Sequence, residues 1–116
     1  MMNKPIDFGD LFDRVSDNRE FAGRMLNSFF DTWTSRFDLL ESLLNEEKYD
    51  EFADGAHQLK GILGNLAIRK GFDLLKSIHE EARLKNPKKL VKLLASLKKE
   101  LKSAQNFYGE NIDLFS

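Results

Sequence analysis

The stretch Ala56-His57-Gln58-Leu59-Lys60-Gly61-Ile62-Leu63-Gly64-Asn65-Leu66 decides how this chain is read. Phe52, Ala56, Leu59, Leu63 and Leu66 recur at spacings of four, three, four and three, so they form one apolar seam of an amphipathic helix facing a core. With the seam at zero and about 100° per residue, Lys60 falls near 80°, Gly64 near 120°, His57 near 140° and Gly61 near 180°. An imidazole, an ammonium and two bare glycines therefore share the outward face. An interior glycine costs a helix about 1 kcal/mol relative to alanine. Two of them, four and seven residues after His57, clear the space over its ring on the C-terminal side. Gly64-Asn65 also reads as a helix stop, but Leu63 and Leu66 keep the seam in phase through it.

His57-Gln58-Leu59-Lys60-Gly61, followed by Leu66, resembles the H-x-L-K-G motif of histidine phosphotransfer (HPt) domains. The resemblance implies an all-α, antiparallel up-and-down four-helix bundle whose exposed histidine carries a phosphoryl group between receiver-domain aspartates. Carried over by position, His57 would be the phosphoacceptor, Lys60 the cation beside the phosphoryl group, and Gly61 the clearance for the receiver. Family members often have small residues after the Lys-Gly pair and a glycine after the next leucine. This chain has Ile62, Leu63 and Ala67 there, and Gly64 is the candidate to supply the missing clearance.

The 116 residues suit one domain spanning 1–116, with one core. Hydrophobic residues at 41%, charged residues at 32% and only two prolines describe a helical globular domain. Cysteine is absent, which excludes disulfides and thiolate chemistry. No apolar run approaches the ~18 residues of a membrane span. The start, Met1-Met2-Asn3-Lys4-Pro5, lacks the apolar core of a signal peptide, so a cytoplasmic location is expected. Residues 1–68 carry seven Lys/Arg against thirteen Asp/Glu, and residues 69–116 eleven against six. The basic half does not predict nucleic-acid binding, because Lys88, Lys89, Lys92, Lys98, Lys99 and Lys102 fall between leucines with no interleaved aromatic stacking platform.

Phe8, Leu11, Phe12 and Val15 predict a short helix over 7–15 that packs as a lid. Asp17 with Glu20 reads as a variant capping box starting the next helix. Around Asp31-Thr32-Trp33-Thr34 polar residues suggest a kink or break, with one long bent helix as the equal alternative. The seam then resumes at Trp33, Phe37, Leu40 and Leu44 to about Glu47. The motif helix starts at Tyr49-Asp50. The next helix spans about Arg69 to Lys85 on Leu75, Ile78 and Ala82. Asn86-Pro87 opens a last helix carrying Leu90, Leu94, Leu97, Leu101, Ala104 and Tyr108, which Gly109 is expected to close. The tail Ile112-Asp113-Leu114-Phe115 is apolar enough to fold back on the bundle.

Acceptance of a phosphoryl group needs only a neutral imidazole nitrogen presented in line, and an imidazole is a nucleophile near neutral pH. A nearby lysine partly neutralises the charge gained. Neither G-x-x-x-x-G-K-[ST] nor G-x-G-x-x-G occurs, so no autokinase activity and no cofactor are expected. His79 is assigned a hydrogen-bonded structural role at the core edge. No metal is expected, since Glu80-Glu81 lies on the wrong side of its helix to converge with both histidines. The expected molecule is a free-standing, monomeric phosphocarrier working with response-regulator receiver domains and a hybrid sensor histidine kinase. The alternative is a bundle of the same fold that sequesters or inhibits a receiver or kinase without being phosphorylated.

Overall fold

The computed structural model describes residues 4–116 and is all-helical, with no strand among the described residues. In chain order the helices are α1 (Phe8–Arg14), α2 (Arg19–Asn45), α3 (Tyr49–Asn65), α4 (Arg69–Arg83) and α5 (Pro87–Glu110), followed by a 3-10 turn at Ile112–Phe115. The links after α2, α3 and α4 span residues 46–48, 66–68 and 84–86, short enough to force each helix antiparallel to the one before it. Helix α2 touches α3 and α5, and α4 touches α3 and α5, so α2 to α5 close into a four-helix bundle. The seams meet in one core that includes Trp33, Phe37, Phe52, Leu59, Leu63, Leu75, Ile78, Leu90, Leu97 and Leu101. Trp33 keeps its indole N–H satisfied at the edge of that core by donating to Gln105 Oε1 at 3.0 Å.

Two cap assignments differ from expectation, and of the two alternatives for α2 the single long helix is observed. The helix-starting cap is Asn18, whose side-chain oxygen accepts from the Phe21 amide at 3.1 Å. Asp17 cannot cap, because it sits at φ 59° in the left-handed turn that ends α1. Helix α2 then runs 27 residues without a break. Thr32 donates its hydroxyl to the Ser28 carbonyl at 3.0 Å, which satisfies it inside the helix. Phe29, Phe30, Trp33 and Phe37 meanwhile bury the inner face throughout. At the far end Gly109 lies within α5 and does not close it; the C-cap is Asn111, whose side-chain amide donates to the Phe107 carbonyl at 2.8 Å.

The end of α3 is set by a non-glycine residue in the left-handed region. The helix does stop at Asn65, through Leu66 as C-cap and Ala67 at φ 57°, although neither Gly61 nor Gly64 has a positive φ. Ala67 is buried, and its carbonyl accepts from the Asp7 amide at 2.9 Å. The position where the family often has glycine is therefore a buried left-handed turn under α1. Alanine in that conformation costs about 1–2 kcal/mol. The buried methyl returns about 0.8 kcal/mol, and the stiffer unfolded chain roughly another 0.4–1 kcal/mol. Ala67→Gly is thus expected to change stability by less than about 1 kcal/mol in a thermal melt. Ala67→Val, β-branched at positive φ in a filled site, should lose about 2 kcal/mol or more. Equal melts for the two variants would show that the backbone there is not constrained.

The tail folds back as expected. Phe115 is buried against Phe8, Phe12 and Tyr108, with ring centroids 5.0 to 5.3 Å apart. Tyr108 donates its hydroxyl to the Gly23 carbonyl at 3.2 Å, and a Cβ on Gly23 would stand 3.3 Å from that of Phe115. Helix α1 is tied over the α3–α4 turn by Arg69, which pairs with Asp7 and Asp10. The Arg14 guanidinium beside Asp10 holds that carboxyl below the usual carboxylate range.

Candidate phosphotransfer site

Helix α3 buries Phe52, Ala56, Leu59 and Leu63, and this seam turns His57 out to solvent near the middle of the helix. Gly61, one turn on, is also exposed, and a Cβ built on it would meet nothing within 4 Å. The two residues thus form an open strip along α3. Gly64 differs. A Cβ there would touch the Phe72 ring of α4 at 3.4 Å, so part of the space it leaves is filled by the neighbouring helix. Lys60 is half-buried and leans the same way, its Nζ 5.9 Å from the centre of the Phe72 ring. Its ammonium therefore stands at the α3–α4 groove, on the flank of the strip.

The structure adds a residue that was given a different part. His79 of α4 does not serve as a hydrogen-bonded core residue: neither imidazole has a hydrogen-bond partner among the described residues. It lies half-buried in the same groove, with its ring centre 5.8 Å from that of His57 and the planes inclined at 48°. A signal for this existed in the sequence. His57 stands ten residues before Ala67 and His79 twelve after it, so a tight antiparallel hairpin about Ala67 brings them to similar heights. Close approach of the two helices is aided by Gly71, where an added Cβ would come within 2.8 Å of Leu63 Cδ1. The two histidines do not amount to a metal cluster: no group of three or more His, Cys, Asp or Glu side chains converges among the described residues.

Two clefts border the strip. Between α2 and α3, Phe21, Met25, Phe29, Ile62 and Leu66 line an apolar groove of about 450 Å³ rimmed by Arg24 and Arg36. Beyond Gly61 and Gly64 a second cleft of about 630 Å³ has Phe72 in its wall and Arg14, Arg69, Asp10 and Asp73 around it. An exposed imidazole on a helix, with open space one turn away and a cation at its side, suits group transfer with a macromolecular partner better than turnover of a small substrate, which requires an enclosing pocket. Comparison with protein families matches the description "Hpt domain" over residues 24–107, which takes in all of α3, α4 and most of α2 and α5.

The chain belongs to the Hpt domain family. Hpt domains are helical bundles that act as phosphocarriers in phosphorelays, in company with receiver domains and kinases. The match includes His57, Lys60, Gly61, Gly64 and His79. No curated protein and no solved structure matches this chain. None of its helices is long and apolar enough to cross a membrane among the described residues.

Proposed function

We propose that His57 accepts a phosphoryl group from the aspartate of a receiver domain and passes it to a second receiver, with a hybrid sensor histidine kinase at the head of the relay. The observation that carries this reading is the exposed His57 beside the open space at Gly61, within a chain of the Hpt family. The donor's acyl phosphate supplies the energy, so the acceptor needs a positioned nitrogen and no nucleotide site. As the P–O bond to the donor aspartate breaks, a P–N bond forms at His57, and the ring proton leaves to solvent. In this reading residues 1–116 act as one unit, monomeric and cytoplasmic, without autokinase activity. The apolar groove between α2 and α3, where Phe21 is 43% exposed, supports a receiver seated across the strip.

Incubation with a panel of phosphorylated receiver domains tests the proposal. An acid-labile, alkali-stable phosphoryl group should appear on the chain, whereas tight receiver binding with no label would favour a sequestering role. Lys60 is proposed as the cation for the phosphoryl group. Its side chain is solvent-accessible, and exposed ion pairs contribute roughly 0–1 kcal/mol, so Lys60→Ala should slow transfer or shorten the phosphohistidine lifetime severalfold, without complete loss. Unchanged rates in both directions would remove Lys60 from the mechanism.

A further inference from the structure

The imidazole of His79 stands 5.8 Å, centre to centre, from the proposed phosphoacceptor, on the helix that forms the other wall of the same groove. A phosphoryl group added to His57 brings its negative oxygens into that space. We propose, resting on the phosphoacceptor reading of His57, that His79 is a positioning residue that supplies a proton-dependent second cation to the phosphoryl group. Lys60 is the permanent cation on one side of His57, and His79 is the titrating one across the groove.

The charges around the pair fit this division. On α3, helical position places Asp50, Asp54 and Lys60 on the face of His57. On α4, Lys76 and Arg83 flank His79 and Glu80 follows it. The side of α4 turned toward α5 carries Glu81, which pairs with Lys89, and Lys70, which pairs with Glu100, so those charges are engaged elsewhere. No carboxylate lies within ion-pair distance of either imidazole among the described residues. The phosphoryl anion would then be the first close anionic partner His79 meets. A new anion favours the protonated form of an adjacent imidazole. By linkage, protonation of His79 stabilises the phosphorylated state by the same factor. Imidazoles change charge between about pH 5 and 8, so the effect would act within a cellular range.

The test uses phosphoramidate as a small donor, which makes it independent of any receiver. Its P–N bond breaks as the new P–N bond to His57 forms, and the ring proton leaves with the ammonia. Proton NMR of the wild-type chain should show the His79 titration midpoint moving up in pH on phosphorylation, by a factor of about two- to fivefold in proton affinity, the range of a solvent-accessible ion pair. The ratio of phosphohistidine half-lives, wild type over His79→Gln, should be about two- to fivefold near pH 6 and close to one near pH 8. The fixed charge of His79→Lys should restore the long half-life at both. An unmoved midpoint, or a ratio that does not change with pH, overturns the inference and leaves His57 as the acceptor. Absence of label from every variant overturns both.

Discussion

The His57→Gln chain should fold as the wild type does and should take up no phosphoryl group from any phosphorylated receiver. The imidazole is exposed on α3, has no hydrogen-bond partner among the described residues, and has its ring centre 5.8 Å from that of His79. Substitutions at such surface positions usually change stability by no more than about 0.5 kcal/mol. Glutamine also retains good helix propensity. Loss of labelling can then be assigned to the missing nucleophile and not to a disturbed bundle. The measurement is phosphoryl transfer followed by acid and alkali treatment, with a thermal melt on the same sample. Label on the variant, or label on His79 in the wild type, would move the acceptor away from His57.

At Gly61, stability and transfer should move in opposite directions. The residue lies inside α3 with no positive φ, and a Cβ there meets nothing within 4 Å. Gly61→Ala should therefore stabilise the chain by about 0.5–1 kcal/mol, from helix propensity and a less free unfolded chain. Gly61→Gln should also fold, since its side chain has solvent to enter. Placed one turn from His57, that side chain would stand in the path proposed for a receiver, and transfer should fall by orders of magnitude. Near-attack geometry tolerates about 1 Å of displacement only at a cost of roughly a hundredfold in rate. Gly64 provides the control. Its Cβ would make van der Waals contact with the Phe72 ring at 3.4 Å, so Gly64→Ala should be accommodated with a gain similar to that of Gly61→Ala. A strongly destabilised Gly61→Ala would mean that this glycine serves packing, and its role in clearance would have to be abandoned.

Much of the molecule is legible from residue spacing because its helices are strongly amphipathic. The seam at Phe52, Ala56, Leu59 and Leu63 alone fixes which way His57, Lys60 and Gly61 point, and the core bears out each seam position. Asn86-Pro87 marks the start of α5 to the residue, since an asparagine cap followed by proline satisfies or removes the first orphan amides. The motif itself points to the Hpt family, which the family match over residues 24–107 shows.

What the sequence left open depends on contacts between helices. Thr32 and its polar neighbours mimic a break, because local propensity cannot register the buried Phe29, Phe30 and Trp33 that keep α2 continuous through them. Ala67 stands where the family often has glycine, and the α3–α4 link and the overlying α1 hold it at φ 57°. Gly61 and Gly64 share a face of the helical wheel, but only the position of Phe72 on α4 separates an open glycine from a packed one. His79 is the clearest case. Twenty-two residues separate it from His57 in the chain, and periodicity within either helix says nothing about the other. Their meeting at 5.8 Å is set by the length of the turn at 66–68 and by the close approach of α4 to α3 at Gly71, both properties of the helix pair.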